Sequence, residues 1–439
     1  MRPEPLTTRG LEEVICYRRG EAVTVRRFLA EAAALAAALP EGGTAVNALA
    51  DRYLALLAFA AAMMRGQPTL LGAGRPGTPG FWAAAAGYSG AYVLTDLPLP
   101  SVGLPVMAVH DAPPVAGGAL DVPLIPTERI VAVGTTSGST GTPRAHPKPW
   151  GALVMAADAA AERFGLTRGP TTNLVATVPP QHMYGFETTM MLPLRAAVAI
   201  HAGESFFPSD VLAALAEVPA PRILITTPLH LRALLAEGRR PAPLTGVISA
   251  TAPLAREMAE AVERDWGAPM LEIYGATEAG SMASRRTVRD ATWTPYRGVV
   301  VQPGVATVPG LGEVLLGDAV QVEGTDGRFR LLGRLADVVK LGGKRASLAE
   351  LNRALAAVEG VVDGVFVAPD DIENNPAARL MAYVVAPGRS AEAVLGGMRG
   401  RIDPVFLPRR VVMLPSLPRD ATGKLPRAAL AALAAGEAA

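Results

Sequence analysis

The sequence predicts an α/β fold, in which a large N-terminal domain of layered β-sheets flanked by helices precedes a small α+β domain. Two observations carry this prediction. Up to residue 274, helical patterns alternate with short apolar runs of strand type, which is typical of a largely parallel sheet. After residue 330 the pattern becomes compact and fills roughly 100 residues, the size of a small domain.

The helices of the N-terminal part are predicted from apolar residues that recur on one helical face. They are Val23–Ala38, Arg52–Met64, Ala152–Phe164 and Pro253–Trp266. The last is the clearest, because Pro253 suits a first helical turn and Gly267 stands where a helix commonly ends. The strand-like runs between them are Ile130–Val133, Asn173–Val178, Ile223–Thr226, Gly246–Ser249 and Met270–Tyr274.

The C-terminal part is predicted to contain its own small core. Its elements are the helix Leu348–Val358, the strands Val361–Ala368 and Leu380–Ala386, the helix Ala391–Ile402 and the strand Arg410–Leu414. We place the boundary near Arg334, which gives an N-terminal domain of residues 1–333 and a C-terminal domain of residues 334–439.

Composition excludes several classes of function. The chain has 439 residues and a formal net charge of +1, which argues against a protein built to bind nucleic acid. Cys16 is its only cysteine, so it can form neither an intrachain disulfide nor a cysteine-based metal site. The apolar run Tyr53–Met64 is too short to span a bilayer, and Met1–Gly20 lacks the apolar core of a secretory signal. We therefore expect a cytoplasmic protein without stable membrane insertion.

The strongest candidate for a ligand site is the glycine- and hydroxyl-rich stretch Gly134–Arg144. Its glycines allow a ligand to approach the backbone closely, and its hydroxyls lie beside main-chain N–H groups. Arg144 and Lys148 add positive charge, so the stretch could hold a polyphosphate. It is not a Walker A loop, because no Gly-Lys-Ser/Thr follows at the required spacing. A surface linker rich in glycine, serine and threonine remains the alternative.

A second candidate is the turn Tyr274–Glu278, which follows a strand at the edge where α/β sheets place ligands. Tyr274 could stack on a base, Thr277 could bind a phosphate oxygen, and Glu278 could help to hold Mg²⁺. Two weaker candidates are Asp318, which could accept the hydroxyls of a ribose, and Lys424, which could reach a ligand from a glycine turn. Taken alone, an ordinary turn or a solvated side chain explains each of them at least as well.

A dinucleotide-binding fold is a further alternative, since Gly72–Gly77 matches G-x-G-x-x-G and Asp96 follows. However, Pro76 and Pro79 interrupt the helix that should receive the pyrophosphate, which disfavours a nicotinamide oxidoreductase.

Together these stretches resemble the adenylate-forming superfamily, which includes acyl-CoA and acyl-carrier-protein synthetases, peptide-synthetase adenylation domains and luciferases. The resemblance follows the family's order along the chain. The matching stretches are Thr136–Arg144 (phosphate loop), Pro180–Gly185 (entrance to the acyl pocket), Ser249–Leu254 (adenine segment), Tyr274–Glu278 (the Y-G-x-T-E signature), Gly317–Asp318 (ribose aspartate), Gly333–Arg345 (hinge) and Leu417–Lys424 (catalytic lysine). The chain departs from the family at Arg144, usually lysine, at Ala336, usually acidic, and at Glu272, often Asn or Gln.

The resemblance implies a role for each matching residue. It makes Lys424, Thr277, Glu278 and His182 the catalytic residues, with Glu278 also holding Mg²⁺. The residues implied to bind the nucleotide and its partners are Thr136, Ser137, Gly138, Ser139, Thr140, Gly141, Arg144, Ala250, Thr251, Ala252, Glu272, Tyr274, Gly275, Asp318, Arg334 and Gly343.

The function implied by the resemblance is ATP-dependent activation of a carboxylic acid to an acyl-adenylate. The acyl group would then pass to the thiol of coenzyme A or of the phosphopantetheine arm of an acyl carrier protein. The small domain would be mobile, the N-terminal domain trimmed at its start, and a homodimer is left open. The acid pocket would be lined by residues around His182–Met191 and Thr226–His230, and the apolar residues of the first segment favour an aryl or fatty acid. A non-catalytic nucleotide-binding protein of the same fold and an amino-acid adenylating enzyme remain alternatives.

Overall fold

A computed structural model describes residues 2–71, 82, 85, 87–99, 103–111, 121–136, 144–334, 338–341, 344–369, 372, 379–419, 425 and 429. The chain divides into two compact units. The first comprises Met1–Val300 and Ala306–Val314, and the second comprises Val301–Val305 and Leu315–Ala439. The predicted boundary at Arg334 lies inside the second unit, at the end of a strand, and stays a prediction.

The first unit contains most of the strands and helices. Its strands are β1 (Glu4–Pro5), β2 (Val14–Arg18), β3 (Glu21–Thr24), β4 (Ala45–Asn47), β5 (Thr69–Leu71), β6 (Tyr92–Thr95), β7 (Val106–Ala108), β8 (Leu124–Ile125), β9 (Ile130–Thr136), β10 (Arg144–Pro149), β11 (Thr172–Ala176), β12 (Val198–His201), β13 (Arg222–Thr226), β14 (Gly246–Ser249), β15 (Met270–Ala276), β16 (Gly280–Arg286) and β17 (Thr294–Pro295). Its helices are α1 (Val25–Ala38), α2 (Arg52–Met64), α3 (Trp150–Arg163), α4 (Met183–Phe186), a π-helix (Glu187–Met191), α5 (Leu192–Arg195), α6 (Pro208–Glu217), α7 (Pro228–Ala236) and α8 (Arg256–Trp266).

Two large sheets organise the first unit. Within the described residues one has nine strands in the order β17-β16-β15-β14-β13-β11-β12-β2-β3, and the other has six in the order β10-β9-β5-β4-β6-β7. The run from β15 through β14, β13, β11 and β12 to β2 is parallel. Its central strands are buried along nearly their whole length, as expected when helices cover both faces of a parallel sheet.

Helix α2 lies in the main hydrophobic core. Residues Arg52 to Met63 are all buried, so the helix is covered on every side. Its apolar run therefore belongs to a core helix, and Asp51 caps it by accepting hydrogen bonds from the N–H groups of Tyr53 and Leu54. Among the described residues, every helix is too short or too polar to cross a bilayer.

The second unit contains a smaller core. The chain passes between the units within β18 (Val300–Gln302), β19 (Val305–Val308) and β20 (Gly312–Leu315). The remaining elements are β21 (Asp318–Glu323), β22 (Arg328–Arg334), β23 (Val338–Leu341), β24 (Lys344–Ser347), α9 (Leu348–Ala356), β25 (Asp363–Val367), β26 (Met381–Val385), α10 (Ala391–Met398), a 3₁₀ turn (Pro404–Phe406) and β27 (Arg410–Met413). Ser347 and Glu350 form a capping box at the start of α9.

The α/β fold class is confirmed, and the helices and strands predicted from the sequence are present with shifts of a few residues. The largest shift at a helix start concerns the helix predicted from Pro253, which begins at Arg256. The N–H of Leu254 donates to the Glu272 carboxylate, so residues 253–255 precede the helix in a non-helical conformation. At the other end, Gly267 has φ 70°, the left-handed conformation expected of a terminating glycine.

Candidate active site

The two strongest sequence motifs meet in the first unit. Strands β9 and β10 form an antiparallel hairpin in which Thr136 pairs with exposed Arg144. A Cβ atom added to Gly134 would lie 2.9 Å from Cγ2 of Thr277. The strand that leads into the predicted phosphate loop therefore lies directly against the Tyr274–Glu278 turn. The loop residues Ser137, Gly138, Ser139, Thr140 and Gly141 lie outside the described residues.

Lys148 ties the same hairpin to the same turn. Its side chain is 1% exposed, and its Nζ donates to the main-chain oxygen of Glu278 at 2.6 Å. Burial lowers the pKa of Lys148 to about 8, although the carboxylates of Glu187 and Glu278 oppose the shift. Lys148 is predicted to add positive charge to the phosphate loop. In the structure its buried ammonium group hydrogen-bonds to the main chain of the Tyr274–Glu278 turn.

Glu278 offers a carboxylate at the surface of the site. Its side chain is 40% exposed, and Oε1 lies 3.8 Å from Nε2 of His146. Burial lowers the pKa of His146, Glu278 opposes this shift, and the positive charges of Lys148 and Arg144 add to it. Sequence reasoning missed His146, because no recognised motif includes it.

A magnesium ion is compatible with this arrangement. The described residues contain no cluster of three or more His, Cys, Asp or Glu side chains that would form an all-protein metal site. Mg²⁺ commonly binds through one or two carboxylates, with phosphate and water oxygens completing its shell. The Glu278 carboxylate is partly exposed and lies beside the β9–β10 hairpin, so it fits that requirement.

The close approach of the two strands beside the Tyr274–Glu278 turn explains why residue 275 is a glycine. A Cβ on Gly275 would lie 2.5 Å from the main-chain oxygen of Gly280, so the β15–β16 hairpin closes only over a glycine. The register shifts between Tyr274 and Gly275, which marks a bulge at this point. The Tyr274 ring is buried, with its centroid 5.8 Å from that of Trp293. Stacking of Tyr274 on a base stays a prediction.

The predicted adenine segment follows β14, the parallel neighbour of β15. Parallel strands end at the same edge of a sheet, so Ala250, Thr251 and Ala252 share an edge with the Tyr274–Glu278 turn. Thr251 has φ 78°, a left-handed conformation that is rare for threonine and is found at functional sites. Its position here agrees with the predicted role without testing it.

Glu272 is held by protein groups of the first unit. It is 3% exposed and accepts hydrogen bonds from Arg285 Nε at 2.8 Å, Thr287 Oγ1 at 2.6 Å and the N–H of Leu254 at 3.2 Å. These contacts give Glu272 a structural task that the sequence did not reveal. Its predicted contact with the nucleotide stays a prediction.

His182 lies directly before α4 and is half-buried. The turn around it is tightly packed, since a Cβ on Gly185 would lie 2.0 Å from the main-chain oxygen of Pro179. The neighbouring Gln181 donates from Nε2 to the main-chain oxygen of Leu49 at 2.6 Å. The predicted role of His182 at the pocket entrance is untested.

A cavity of about 10 Å³, which has room for no more than one water molecule, lies between α3, the π-helix and β15–β16. Its walls are mainly apolar, and it includes part of the segment His182–Met191 predicted to form the acid pocket. The lining residues are Leu153, Ala156, Ala157, Ala160, Phe164, Glu187, Thr188, Met191, Leu192, Ile273, Ser281 and Tyr296.

The second unit contains the remaining predicted residues. Asp318 and Arg334, predicted to act on the ribose, are cross-strand partners in the antiparallel β21–β22 pair. This pairing brings together two residues that are well separated in sequence. Gly343 and Lys424 lie outside the described residues, as do Ala336 and the alternative motif Gly72–Gly77. Asp96, which the dinucleotide alternative required, instead accepts hydrogen bonds from the N–H groups of Ala50 and Asp51.

Comparison with known proteins decides the family. The model of the AMP-binding enzyme family matches residues 95–314, half of the chain. The chain belongs to this family. The resemblance to the adenylate-forming superfamily is therefore confirmed.

Relatives and solved structures agree with this assignment. The chain is 30% identical to 4-coumarate–CoA ligase of Rhodobacter capsulatus, over 63% of this chain and 69% of that protein. It is 28% identical to 4-chlorobenzoate–CoA ligase of a Pseudomonas species, over 72% of this chain and 67% of that protein. ATP-bound MatB from Rhodopseudomonas palustris superimposes with a TM-score of 0.79 at 20% identity, over 95% of each chain. MenE from Bacillus subtilis, in complex with an acyl-adenylate, gives a TM-score of 0.77 at 18% identity, over 95% of each chain. These two structures share the fold.

Proposed function

We propose that this member of the AMP-binding enzyme family is an AMP-forming acid–thiol ligase that activates an aryl or aliphatic carboxylic acid with ATP. The observation that carries the proposal is the contact between Gly134 and Thr277. It brings the strand before the phosphate loop onto the turn that carries Glu278, beside an apolar cavity. The predicted phosphate-binding element therefore lies against the signature turn, and residues predicted to line the acid pocket pack beside that turn.

The chemistry requires both elements. A carboxylate is a poor acceptor for a thiol, because its leaving group is an oxide. Attack of a carboxylate oxygen on the α-phosphorus of ATP expels pyrophosphate and gives a mixed anhydride. The thiol sulfur then attacks the acyl carbon, the bond to AMP breaks, and a thioester forms. Negative charge builds on the phosphoryl oxygens in the first step, so fixed donors and cations aimed there lower its barrier.

The residues of the first unit have defined tasks in this proposal. The Thr277 hydroxyl donates to the α-phosphate, and the Glu278 carboxylate holds Mg²⁺, which when bound neutralises phosphate charge. Lys148 positions both by fixing the main-chain oxygen of Glu278. Lys424 supplies positive charge to the reacting carboxylate and phosphate, and Asp318 with Arg334 binds the ribose.

Coenzyme A is the proposed thiol. The curated relatives reported above are both CoA ligases of aryl acids. The phosphopantetheine arm of a carrier protein presents the same thiol, so a carrier protein is the second acceptor to test. A homodimer and a cytoplasmic location, where ATP and coenzyme A are available, complete the proposal.

Acid-dependent exchange of pyrophosphate into ATP tests the first step. We expect exchange with at least one acid of a panel containing benzoates, cinnamates and fatty acids. Mass spectrometry of the products, with coenzyme A and then a phosphopantetheinylated carrier protein as acceptor, identifies the thioester. Tight ATP binding without exchange for any acid would instead support a non-catalytic nucleotide-binding protein.

A further inference from the structure

Strand β10 presents three basic side chains to the Tyr274–Glu278 turn. Side chains alternate between the two faces of a strand, so Arg144, His146 and Lys148 project from the same face. Lys148 shows which face this is, because its Nζ donates to the main-chain oxygen of Glu278. Exposure rises along the strand, from 1% at Lys148 through 16% for the side chain of His146 to exposed Arg144. His146 therefore stands between the buried anchor of the turn and solvent.

The partner strand leaves space beside His146. His146 pairs directly with Gly134 across the β9–β10 hairpin, and directly opposed residues of an antiparallel pair project to the same face. Gly134 has no side chain, and a Cβ atom there would lie 2.9 Å from Cγ2 of Thr277. The imidazole of His146 therefore projects toward the turn that carries Thr277, beside a position without a side chain.

The imidazole lies next to the Glu278 carboxylate without bonding to the nearer oxygen. Nε2 is 3.8 Å from Oε1, which is beyond hydrogen-bonding distance. The Glu278 oxygen therefore stays available to a cation. An imidazole carries at least one N–H group in both its neutral and its protonated form, so it can donate to an anion in either. A phosphate group held near Glu278 would come within reach of that N–H.

A carboxylate and an N–H donor side by side suit a phosphate chain that carries a divalent cation. The carboxylate attracts the cation, and the imidazole donates to the phosphate oxygens. Lys148 cannot supply this donor, because its ammonium group is buried and bonded to the main chain of Glu278. His146 is partly exposed, so an incoming phosphate can meet it.

We propose that the His146 imidazole binds the β- and γ-phosphates of ATP and stabilises pyrophosphate as it leaves. This inference rests on the proposed acid–thiol ligase function, in which Thr277 binds the α-phosphate. His146 lies beside Glu278, the next residue of the turn, so it meets the phosphates beyond the α-phosphate. When the carboxylate oxygen bonds to the α-phosphorus, the bond from that phosphorus to the bridging oxygen breaks, and its electron pair stays with pyrophosphate. An N–H group aimed at this growing charge lowers the barrier.

Binding measurements without turnover provide the first test. Calorimetric titrations give the Kd of ATP, pyrophosphate and AMP for the wild type and for His146→Leu, with no acid present. We expect the variant to bind ATP and pyrophosphate about tenfold more weakly, since a hydrogen bond to a charged group is lost. AMP lacks the β- and γ-phosphates and should bind within about twofold of the wild type.

The matched control is His110→Leu. His110 is exposed and follows β7, which lies at the opposite edge of the six-stranded sheet from β10. Its replacement should leave all three affinities unchanged. If His146→Leu does not fold, His146→Ala carries the same expectations.

Titration of ATP in EDTA separates a direct contact from an indirect one. A hydrogen bond from His146 to phosphate needs no metal, so the loss of affinity in His146→Leu should persist in EDTA. A loss that appears only with Mg²⁺ would mean that His146 acts by orienting Glu278, and the proposal would be wrong. His146→Gln keeps an N–H donor and should bind ATP within about threefold of the wild type. Equal losses in the Leu and Gln variants would also contradict the proposal.

Kinetics separate this inference from the function on which it rests. In acid-dependent pyrophosphate exchange, His146→Leu should lower kcat/KM for ATP about 10- to 100-fold and change KM for the acid less than about threefold. Exchange by the wild type, with unaltered affinity of the variant for ATP and pyrophosphate, overturns the inference and leaves the ligase function standing. Wild-type protein that exchanges pyrophosphate with no acid removes the ligase function, and the contrast between ATP and AMP binding then still decides whether His146 contacts phosphate.

Discussion

Lys148 carries a positive charge although its side chain is buried, and burial of a charge is unfavourable. A buried ammonium group is costly unless it is paired, and here the main-chain oxygen of Glu278 and the nearby Glu187 carboxylate compensate for the lost water. A methionine of similar shape would avoid the cost but release the Glu278 turn. We infer that the charge is kept for the position it gives to Glu278.

Replacing Lys148 should change how stability depends on pH. The pKa of Lys148 is about 8 in the folded chain and 10.5 ordinarily, so between these values the unfolded chain binds a proton that the folded chain has released. The contribution of this residue to the free energy of unfolding therefore rises with pH. We expect the unfolding free energy of the wild type to gain on the order of 1–3 kcal/mol relative to Lys148→Met between pH 8 and 10.5.

Denaturant unfolding of both proteins at a series of pH values measures this difference. At pH 7 the same variant should lose about tenfold in kcat/KM for ATP, because Glu278 is no longer held. A difference in stability that does not vary with pH, together with unchanged ATP kinetics, contradicts the assigned role.

Gly134→Ala tests the contact between the two motifs. The added methyl group would lie 2.9 Å from Cγ2 of Thr277, so Thr277 must move. We expect kcat/KM for ATP to fall about tenfold with a stability loss of about 1–2 kcal/mol. Gly396→Ala is the control, since Gly396 is exposed and a Cβ there has nothing within 4 Å. Lower stability with intact ATP kinetics would show that Thr277 does not act on the nucleotide.

At the scale of elements, the β15–β16 hairpin carries residues that belong to several of the predicted binding sites. It carries Thr277 and Glu278 at its turn, Ser281 just after it, and Glu272 on the incoming strand. Glu272 also fixes the chain before α8 through the N–H of Leu254. The hairpin thereby connects the predicted adenine segment to the predicted phosphate and acid sites.

Glu272→Ala should destabilise this element strongly. The change leaves Arg285 and the Thr287 hydroxyl without their buried acceptor. We expect the free energy of unfolding to fall by about 2–4 kcal/mol. Glu260→Ala on the exposed face of α8 should change the unfolding free energy by less than about 0.5 kcal/mol. Urea titration of both variants compares them; an equally small effect at Glu272 would contradict the network.

Elements that depend on local signals were predictable from the sequence, and those that depend on distant partners were not. Helix α2 begins and ends where its periodicity predicts, at Arg52 and Met64. By contrast, β2 joins the nine-stranded sheet by pairing Cys16 with Ile200, a partner that no local pattern reveals. The candidate site follows the same rule. The Tyr274–Glu278 turn was recognisable as a motif, whereas Glu187 gains meaning only from Ser281 on another element.

At the scale of the whole molecule, the predicted catalytic residues belong to both units. Thr277, Glu278 and His182 are in the first, and Lys424 is in the second, which also contains the predicted ribose residue Asp318. These catalytic roles could be predicted only from the resemblance to a family. The spacing of the residues along the chain does not by itself show that residues of both units act on one substrate.

Lys424→Ala should separate the two half-reactions. Loss of its charge should reduce acyl-adenylate formation about 100- to 1,000-fold, because charge on the reacting oxygens is no longer balanced. Thioester formation from supplied acyl-adenylate should stay within about threefold of the wild type. Single-turnover assays of each step measure both rates, and an equal loss in the two steps would exclude the assigned role.

The left-handed backbone at Gly280 limits which residue can stand between Thr277 and Ser281. A Cβ atom there would clash with Oε1 of Glu187, the atom that accepts from the N–H of Ser281 at 3.0 Å. A side chain at residue 280 would therefore displace the Glu187 carboxylate from Ser281. Because the link is only a few residues long, the same displacement would reach the turn that carries Thr277.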